Sequence, residues 1–161
     1  MEKEMRIRGL MMDPTTNMPI VVLKDIDGDA VLPIWVGVFE ANAIALEIEK
    51  VTTPRPMTHD LLKNVFIGLE IGVKKIVVTE LKDDTFFAVI WAEKNGEPIC
   101  IDSRPSDALA LALRMDCPIF VEEAVLKSSK VSTSATERVS ADDLRKWLDG
   151  LNDDDLGKYK M

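Results

Sequence analysis

Short runs of apolar and β-branched residues, separated by turn signals, occupy much of this chain. Such runs are typical of strands, and they predict seven: 5–12, 18–23, 30–36, 75–81, 85–91, 98–102 and 118–121. The turn sequence Asp13-Pro14-Thr15-Thr16-Asn17 predicts a first hairpin, and Lys82-Asp83-Asp84 and Asn95-Gly96 predict an antiparallel meander. Asp27-Gly28 is interpreted as a further tight turn with a positive φ at Gly28.

Helical spacing of apolar residues marks three further segments. Strong helix formers fill 39–51, and a helix capped by Thr58 is expected to run to about Ile71. A third helix ends near Asp116, and its residues 108–113 are apolar without a break, which predicts a central core helix. These elements indicate an α+β fold with a mixed, largely antiparallel sheet and packed helices.

The C-terminal part of the chain differs in composition from the rest. One domain is expected over 1–126, followed by a polar linker rich in Ser and Thr over 127–139. Residues 140–161 are interpreted as a C-terminal helical tail, because Ser140 is a good N-cap for an amphipathic pattern. We therefore expect one folded domain with a helical appendage.

Composition limits what the protein can bind. The chain has 161 residues, of which 47% are hydrophobic and 30% charged, and its formal net charge is −8. This acidity argues against a broad basic surface for nucleic acid, so any polyanion must meet a local cluster of basic residues. No apolar run approaches the roughly 18 residues of a membrane span, and residues 1–9 lack the apolar core of a secretory leader. A cytoplasmic protein with no membrane partner is expected.

Cysteine and tryptophan are given structural interpretations. Cys100 and Cys117 lack the spacing of a metal or redox motif, so both are expected to be reduced and structural. Trp35 and Trp91 lie in strand-like runs and are interpreted as core residues. The chain has no Walker-type loop, GxSxG, HExxH or dinucleotide fingerprint, which excludes most familiar enzyme classes.

Arginine, proline and aspartate occur together in two short stretches where helices are expected to begin. The first, Arg55-Pro56-Met57-Thr58-His59-Asp60, contains the sole histidine of the chain. His59 suits general acid–base catalysis, or it is a helix-start residue held by polar neighbours. Asp60 shares in that catalysis or only complements the helix dipole. Arginine is a planar donor to phosphate, so Arg55 and Arg104 are interpreted as phosphate contacts.

The second stretch covers residues 102–107 and contains two carboxylates near a helix start. Asp102 and Asp107, with Glu40 as a third ligand, can hold Mg²⁺ or Mn²⁺. The plainer alternative is that Asp107 favours the helix dipole while Arg104 forms an ion pair with either aspartate. Spacing alone favours this plainer alternative.

Three blocks of sequence together resemble the bifunctional nuclease family of bacterial and plant proteins, which are credited with DNase and RNase activity. The blocks are residues 32–45 (LPIWVGVFEANAIA), 55–62 (RPMTHDLL) and 102–112 (DSRPSDALALA). The resemblance covers about residues 6–126 and implies an α+β fold with a mixed sheet and a tendency to self-associate, for which a homodimer is expected. The polar positions that match are Glu40, Arg55, His59, Asp60, Asp102, Arg104 and Asp107.

Three hypotheses follow from these residues. The first is a divalent-metal-dependent nuclease acting on DNA and RNA, which requires the three blocks to meet in one cleft. Its expected roles are catalysis by His59, Asp60 and Asp107, phosphate binding by Arg55 and Arg104, and Mg²⁺ or Mn²⁺ binding by Asp102, Asp107 and Glu40. The second is a non-catalytic oligomeric module that binds a small anion or phosphorylated ligand. In the third, these residues only cap helices and form ion pairs.

Overall fold

The computed structural model describes residues 1–129 as one seven-stranded sheet with four helices. In chain order the elements are β1 (Glu2–Met12), β2 (Pro19–Asp25), β3 (Val31–Trp35), α1 (Val38–Ile48), α2 (Thr58–Gly68), β4 (Gly72–Lys82), β5 (Thr85–Lys94), β6 (Glu97–Ser103), α3 (Pro105–Met115), β7 (Ile119–Glu122) and α4 (Glu123–Ser129). The strand order is β3-β2-β1-β7-β4-β5-β6. Within this sheet β4 and β7 pair in parallel, and the other neighbours pair antiparallel. The α+β fold with a mixed, largely antiparallel sheet is confirmed.

The described part of the chain ends inside the expected linker. Helix α4 continues to Ser129, past the domain end expected at Leu126. The rest of the linker and the expected helical tail over 140–161 lie outside the described residues and stay predictions. Within residues 1–129, no helix has both the length and the apolar character that crossing a membrane would require.

Two tight turns connect the strands of the meander β4-β5-β6 at the positions expected from sequence. Asp83 and Asp84 have φ of 51° and 59°, and Asn95 and Gly96 have φ of 52° and 80°. Positive φ at both central residues is the signature of a type I′ turn, whose twist matches that of the flanking strands. Asparagine, aspartate and glycine tolerate this backbone best, so local sequence determines both hairpins.

A side chain, not a left-handed glycine, organises the loop between β2 and β3. The positive φ expected at Gly28 is wrong, because among the described glycines only Gly96 has one. Instead, the carboxylate of Asp25 accepts a hydrogen bond from the N–H of Asp27 at 2.9 Å. The N–H of Asp25 in turn donates to the carbonyl of Ala30 at 2.9 Å. These bonds close the loop with ordinary backbone angles.

Helix α2 begins one residue earlier and ends sooner than the sequence indicates. Its N-cap is Met57, with φ −85° and ψ 177°, so the expected capping role of Thr58 is wrong. The cause is Asp60, whose Oδ2 accepts a hydrogen bond from the N–H of Met57 at 3.0 Å. Glu70 has a φ of 59°, which stops the helix before Ile71.

Helix α3 lies at the centre of the molecule, as its apolar pattern predicts. It contacts α1, α2, β4 and β5, and Leu109 and Leu111 are fully buried. Helix α4 contacts both β3 and β4, which are the first and fifth strands of the sheet. The sheet therefore curves around α4, and this curvature brings the end of β3 towards the β4–β5 turn.

The prediction that both strand tryptophans belong to the core is wrong. Trp35 is 40% exposed and Trp91 is 37% exposed. Successive residues of a strand face opposite sides of the sheet, and Trp91 falls on the side away from the core, where the Lys75 Nζ lies 5.9 Å from its ring centre. Trp35 is the last residue of β3, and its indole N–H donates to Asp13 Oδ2 at 2.9 Å.

Both described cysteines are free thiols, in agreement with the absence of a disulfide motif. Cys100 is exposed, and so its interpretation as a structural residue gains no support from packing. Cys117 is half-buried, and burial raises the pKa of its thiol to about 11. Because the thiolate is the reactive form, burial disfavours reaction at Cys117.

Candidate functional site

The first turns of three helices bring four of the expected polar residues together. Arg104 Nη2 donates to Glu40 Oε1 at 2.6 Å, and Arg104 Nε donates to Asp107 Oδ2 at 3.0 Å. The second oxygen of Asp107 lies 2.8 Å from His59 Nε2. We call Glu40, His59, Arg104 and Asp107 the polar cluster. Its residues come from all three blocks of sequence, so the blocks meet as the nuclease hypothesis requires.

The start of α3 sets the position of the arginine. Arg104 is the N-cap, with an extended backbone of φ −70° and ψ 145°, and Pro105 follows at the first helical position. Proline disfavours a helical conformation in the preceding residue, so Arg104 stays outside the helix. Asp107 lies three residues further on, in the first helical turn, and residues three apart are neighbours on a helix. The ion pair between them is therefore built into the local sequence.

A close approach at the start of α1 positions the remaining carboxylate. Gly37 is the N-cap of α1, and a Cβ added there would overlap Oε2 of Glu40. Glycine thus allows the Glu40 side chain to fold back over the helix start, where its exposed fraction is only 15%. Gly37 was not among the residues expected at the site. The sequence signal that could have identified it is a glycine at a helix start, three residues before Glu40.

Arg104 is the most accessible member of the polar cluster, with 67% of its side chain exposed. Hydrogen bonds to Asp107 and then to Glu40 raise the pKa of its guanidinium, so the group stays charged. Within the described residues, its Nη1 donates no hydrogen bond. That edge of the guanidinium remains able to donate to an oxyanion from solvent.

His59 is held in a fixed orientation by Asp107, through the carboxylate oxygen that does not contact Arg104. Its side chain is only 10% exposed, and its Nε2 faces Asp107 Oδ1. Because an ionised carboxylate only accepts hydrogen bonds, the neutral ring donates through Nε2–H and keeps the lone pair on Nδ1. This tautomer is inferred from the hydrogen-bond partner. The arrangement suits a ring that accepts a proton at Nδ1.

A second ionic group lies deeper between the same helices. Arg114 is 3% exposed and donates through Nε to Asp60 Oδ1 at 2.7 Å. It also donates to the carbonyls of Ala110 and Ala43, both at 2.9 Å. We call Asp60 and Arg114 the buried ion pair. It joins α1, α2 and α3, and so supports the helix ends that carry the polar cluster.

The environment of Asp60 suits a structural role better than a catalytic one. Partial burial opposes ionisation, but the N–H of Met57 and the guanidinium of Arg114 outweigh that effect and lower the pKa of its carboxyl. Both carboxylate oxygens already accept hydrogen bonds. Arg114 was not expected from the sequence. The sequence signal that could have identified Arg114 is its position directly after the apolar run of α3, because a charge buried there needs a partner.

Besides Asp60, two of the expected residues are not brought to the polar cluster. Arg55 is exposed in the link before α2, and within residues 1–129 no hydrogen bond or ion pair involves its side chain. Asp102 is exposed on β6, between Ile101, which packs on the core, and Ser103. Because strand residues alternate between faces, Asp102 points to the side of the sheet opposite the core.

The donor set of the polar cluster, as arranged, does not fit a resident Mg²⁺ or Mn²⁺ ion. In the described part of the chain, no three His, Cys, Asp or Glu side chains group as metal ligands. The oxygens of Glu40 and Asp107 that would bind a hard cation accept hydrogen bonds from Arg104. A divalent ion would require Arg104 to move aside. Metal dependence therefore stays a prediction.

Comparison with known proteins identifies relatives along most of the chain. A family profile described as the bifunctional nuclease domain matches residues 21–134. An uncharacterized protein of Mycobacterium tuberculosis is 37% identical over 162 residues, which cover 95% of this chain and 97% of the relative. Bifunctional nuclease 1 of Arabidopsis thaliana is 30% identical over 129 residues, which cover 73% of this chain and 40% of the plant protein. Bifunctional nuclease 1 of Oryza sativa subsp. japonica is 29% identical over 109 residues, which cover 65% and 33%.

Proposed function

Since this chain belongs to the bifunctional nuclease domain family, we propose that it hydrolyses phosphodiester bonds of DNA and RNA at the polar cluster. One observation carries the proposal: Asp107 joins His59 at 2.8 Å and Arg104 at 3.0 Å through its two oxygens. A proton acceptor and an exposed cation are thereby held side by side. The family match spans every residue of the cluster.

His59 moves the proton in this proposal. Neutral His59 accepts a proton from water as the water oxygen forms a bond to phosphorus. The bond from phosphorus to the leaving oxygen breaks on the opposite side, and that oxygen takes a proton from a solvent water; the imidazolium then releases its proton to solvent. Asp107 stays ionised throughout, holds the ring in one tautomer, and stabilises the imidazolium charge. Asp60 positions helix α2 and takes no proton.

Arg104 holds the phosphate. Its exposed guanidinium can donate two parallel hydrogen bonds to non-bridging oxygens and stabilise the charge that develops on them. Glu40 contacts the guanidinium from the protein side and fixes its direction. Arg55, exposed before α2, contacts a neighbouring phosphate of the strand. These local cations provide an anion site within a chain whose net charge is −8.

A non-catalytic module that binds a small phosphorylated ligand is the alternative. It is favoured by the pairing of both cluster carboxylates with Arg104, so that neither carboxylate lacks a cationic partner in the absence of a metal. In this alternative Arg104 binds an anion, and His59 only supports Asp107. The two functions differ in whether bound phosphodiester is cleaved.

A homodimer remains part of the proposal. Helix α2 and its C-cap residue together expose four large apolar side chains, and an exposed apolar surface of this kind favours contact with a second subunit. They are Leu61, Val65, Ile67 and Leu69, each 46–57% exposed. Sedimentation equilibrium of the full chain measures the subunit count directly. A monomer at all accessible concentrations would remove this part of the proposal.

A nuclease assay with matched variants tests the proposed function. Single- and double-stranded DNA and RNA are incubated with wild type, His59→Gln and Asp102→Asn, each with Mg²⁺, Mn²⁺ or EDTA. Loss of the proton acceptor should lower the rate about 10²- to 10⁴-fold in His59→Gln. Asp102→Asn is the control, because Asp102 is exposed on the other side of the sheet and should retain the wild-type rate.

Two outcomes would contradict the proposal. Equal rates in wild type and His59→Gln would assign the activity to another site or a contaminant. Binding of oligonucleotide without cleavage under every metal condition would favour the non-catalytic alternative. Circular dichroism of each variant checks that His59→Gln is folded, since His59 is buried.

A further inference from the structure

A cavity of about 510 Å³ opens beside the polar cluster. Its walls come from the end of β3, the turn between β4 and β5, and the start of α3, and Arg104 is part of its lining. This volume lies within the range of about 300–1,000 Å³ that is typical of small-ligand sites. The cavity and the proposed catalytic cluster therefore share one residue, Arg104.

Aromatic side chains form one part of the cavity wall. Trp35 is 40% exposed and lines the cavity together with the half-buried Phe86. The indole N–H of Trp35 donates to Asp13 Oδ2 at 2.9 Å, which holds the ring in one orientation. A large aromatic ring that is exposed yet held in place presents a flat apolar face ready for stacking.

The charges on the wall limit the kind of ligand that fits. Of the described residues that line the cavity, only Asp84 and Arg104 are charged. One cation cannot bind a polyanion through phosphate contacts alone, particularly in a chain with net charge −8. A matching ligand has a flat aromatic part for the walls and a phosphate for Arg104. A nucleotide has both.

We infer that this cavity binds an unpaired base of single-stranded nucleic acid, stacked on Trp35, with its backbone phosphate at Arg104. The inference rests on the proposed function and specifies its substrate. A paired base is already stacked within its helix, so only an unpaired or extruded base presents its faces to a protein aromatic ring. The protein therefore prefers single strands to duplexes.

Fluorescence anisotropy with three labelled probes of equal length tests the inference. The probes are an oligothymidine strand, an abasic strand with the same phosphates, and a duplex containing the oligothymidine. All binding is measured in a His59→Gln background, in which cleavage of the probes should be slow. We expect oligothymidine to bind about tenfold or more tightly than either other probe, because stacking on an aromatic residue is lost in both.

Two tryptophan variants of similar exposure localise the effect. Trp35→Leu should bind oligothymidine as weakly as it binds the abasic strand. Trp91→Leu is the matched control: Trp91 is 37% exposed, but lies on the outer face of β5, about 17 Å along the strand from Phe86. It should keep the preference for oligothymidine. Asp13→Ala, which frees the Trp35 ring without removing it, should weaken that preference partially.

Equal affinity for oligothymidine and the abasic strand would overturn the inference. So would a Trp35→Leu variant that binds like Trp91→Leu, provided that circular dichroism shows both folded. The cleavage assay of the wild type separates these failures from those of the proposed function. Cleavage without base-dependent binding would contradict only the base-binding role of the cavity. Base-dependent binding without cleavage would contradict only the proposed hydrolase activity.

Discussion

Two arginines on helix α3 form similar ion pairs at very different depths. Arg104, at the N-cap, contacts Glu40 and Asp107 and has 67% of its side chain exposed. Arg114, one residue before the helix ends, contacts Asp60 and has 3% of its side chain exposed. Their closest ionic contacts are 2.6 Å and 2.7 Å. The ion-pair distance alone therefore does not distinguish an arginine that can bind a ligand from one that only stabilises the fold.

Exposure decides what each arginine can do. A buried guanidinium has lost its hydration, so removal of one partner leaves an uncompensated group between the helices. An exposed guanidinium remains hydrated, and its ion pairs contribute little to stability. Arg104 can therefore exchange a protein contact for a phosphate at small cost. Arg114 cannot, and its contribution is to hold the three helices in register.

Replacement of the buried arginine should have the largest effect. Arg114→Met removes the bonds to Asp60 and to the carbonyls of Ala43 and Ala110. We expect the free energy of unfolding to fall by about 3 kcal/mol, the lower end of the cost of breaking a buried pair, because the Asp60 side chain left behind is 33% exposed. Urea denaturation followed by circular dichroism measures the change. A loss below about 1 kcal/mol would contradict the structural role of Arg114, because Arg114 would then stabilise the fold no more than Arg104 does.

A double variant separates the ion pair from simple loss of packing. Asp60→Asn combined with Arg114→Met leaves no uncompensated charge, so its loss of stability should be smaller than the sum of the two single losses. Strict additivity would show that Arg114 stabilises through its aliphatic stem and not through Asp60.

Replacement of the exposed arginine should affect activity and spare stability. Arg104→Ala should lower nuclease activity about 10²- to 10³-fold, because a donor to the developing phosphate charge is lost. The free energy of unfolding should fall by about 1 kcal/mol, less than in Arg114→Met, because Arg104 itself is exposed and only its partner Glu40 is largely buried. Arg104→Lys keeps the charge but loses the planar pair of donors, and we expect intermediate activity. Loss of stability as large as in Arg114→Met would identify Arg104 as structural.

The smallest expected effect is a change in acid stability. The pKa of Asp60 is lowered from its ordinary value of 3.8, so its contribution to stability is fully present above pH 3.8. That contribution is lost as the pH falls from 3.8 through the lower value in the folded protein. Asp60→Asn should flatten this part of the stability profile, measured by urea denaturation between pH 7 and pH 2. Asp102→Asn, at an exposed carboxylate, should reproduce the wild-type slope.

Local sequence predicted much of the fold, because the deciding interactions lie within a few residues. The turns at Asp83-Asp84 and Asn95-Gly96 follow from residues that tolerate positive φ, and the hairpins follow from the turns. The core position of α3 follows from its unbroken apolar run. One error was also local: the N-cap of α2 is Met57 and not Thr58, because the N–H of Met57 donates to Asp60, and this depends on side-chain reach more than on residue type.

Longer-range features were harder to predict. Strand-like pattern alone placed Trp35 and Trp91 in the core, but both are exposed, because the side of the sheet and the position in a strand decide burial. The partner of Asp60 could not be identified from the sequence. Arg114 lies 54 residues away, and an arginine in an apolar helix indicates only that some partner exists.

By itself, the sequence determined the class of fold, the family resemblance, and the residue types available for phosphate chemistry. The spacing of hydrophobic residues, the turn residues and the short motifs all involve residues close in sequence, so they can be recognised from the sequence alone. Tertiary structure alone decided that Asp107 joins His59 to Arg104, that Asp102 faces away, and that Arg104 is exposed while Arg114 is buried. The physical reason is that desolvation and ion pairing depend on which helices pack together, and that packing is a property of the whole chain.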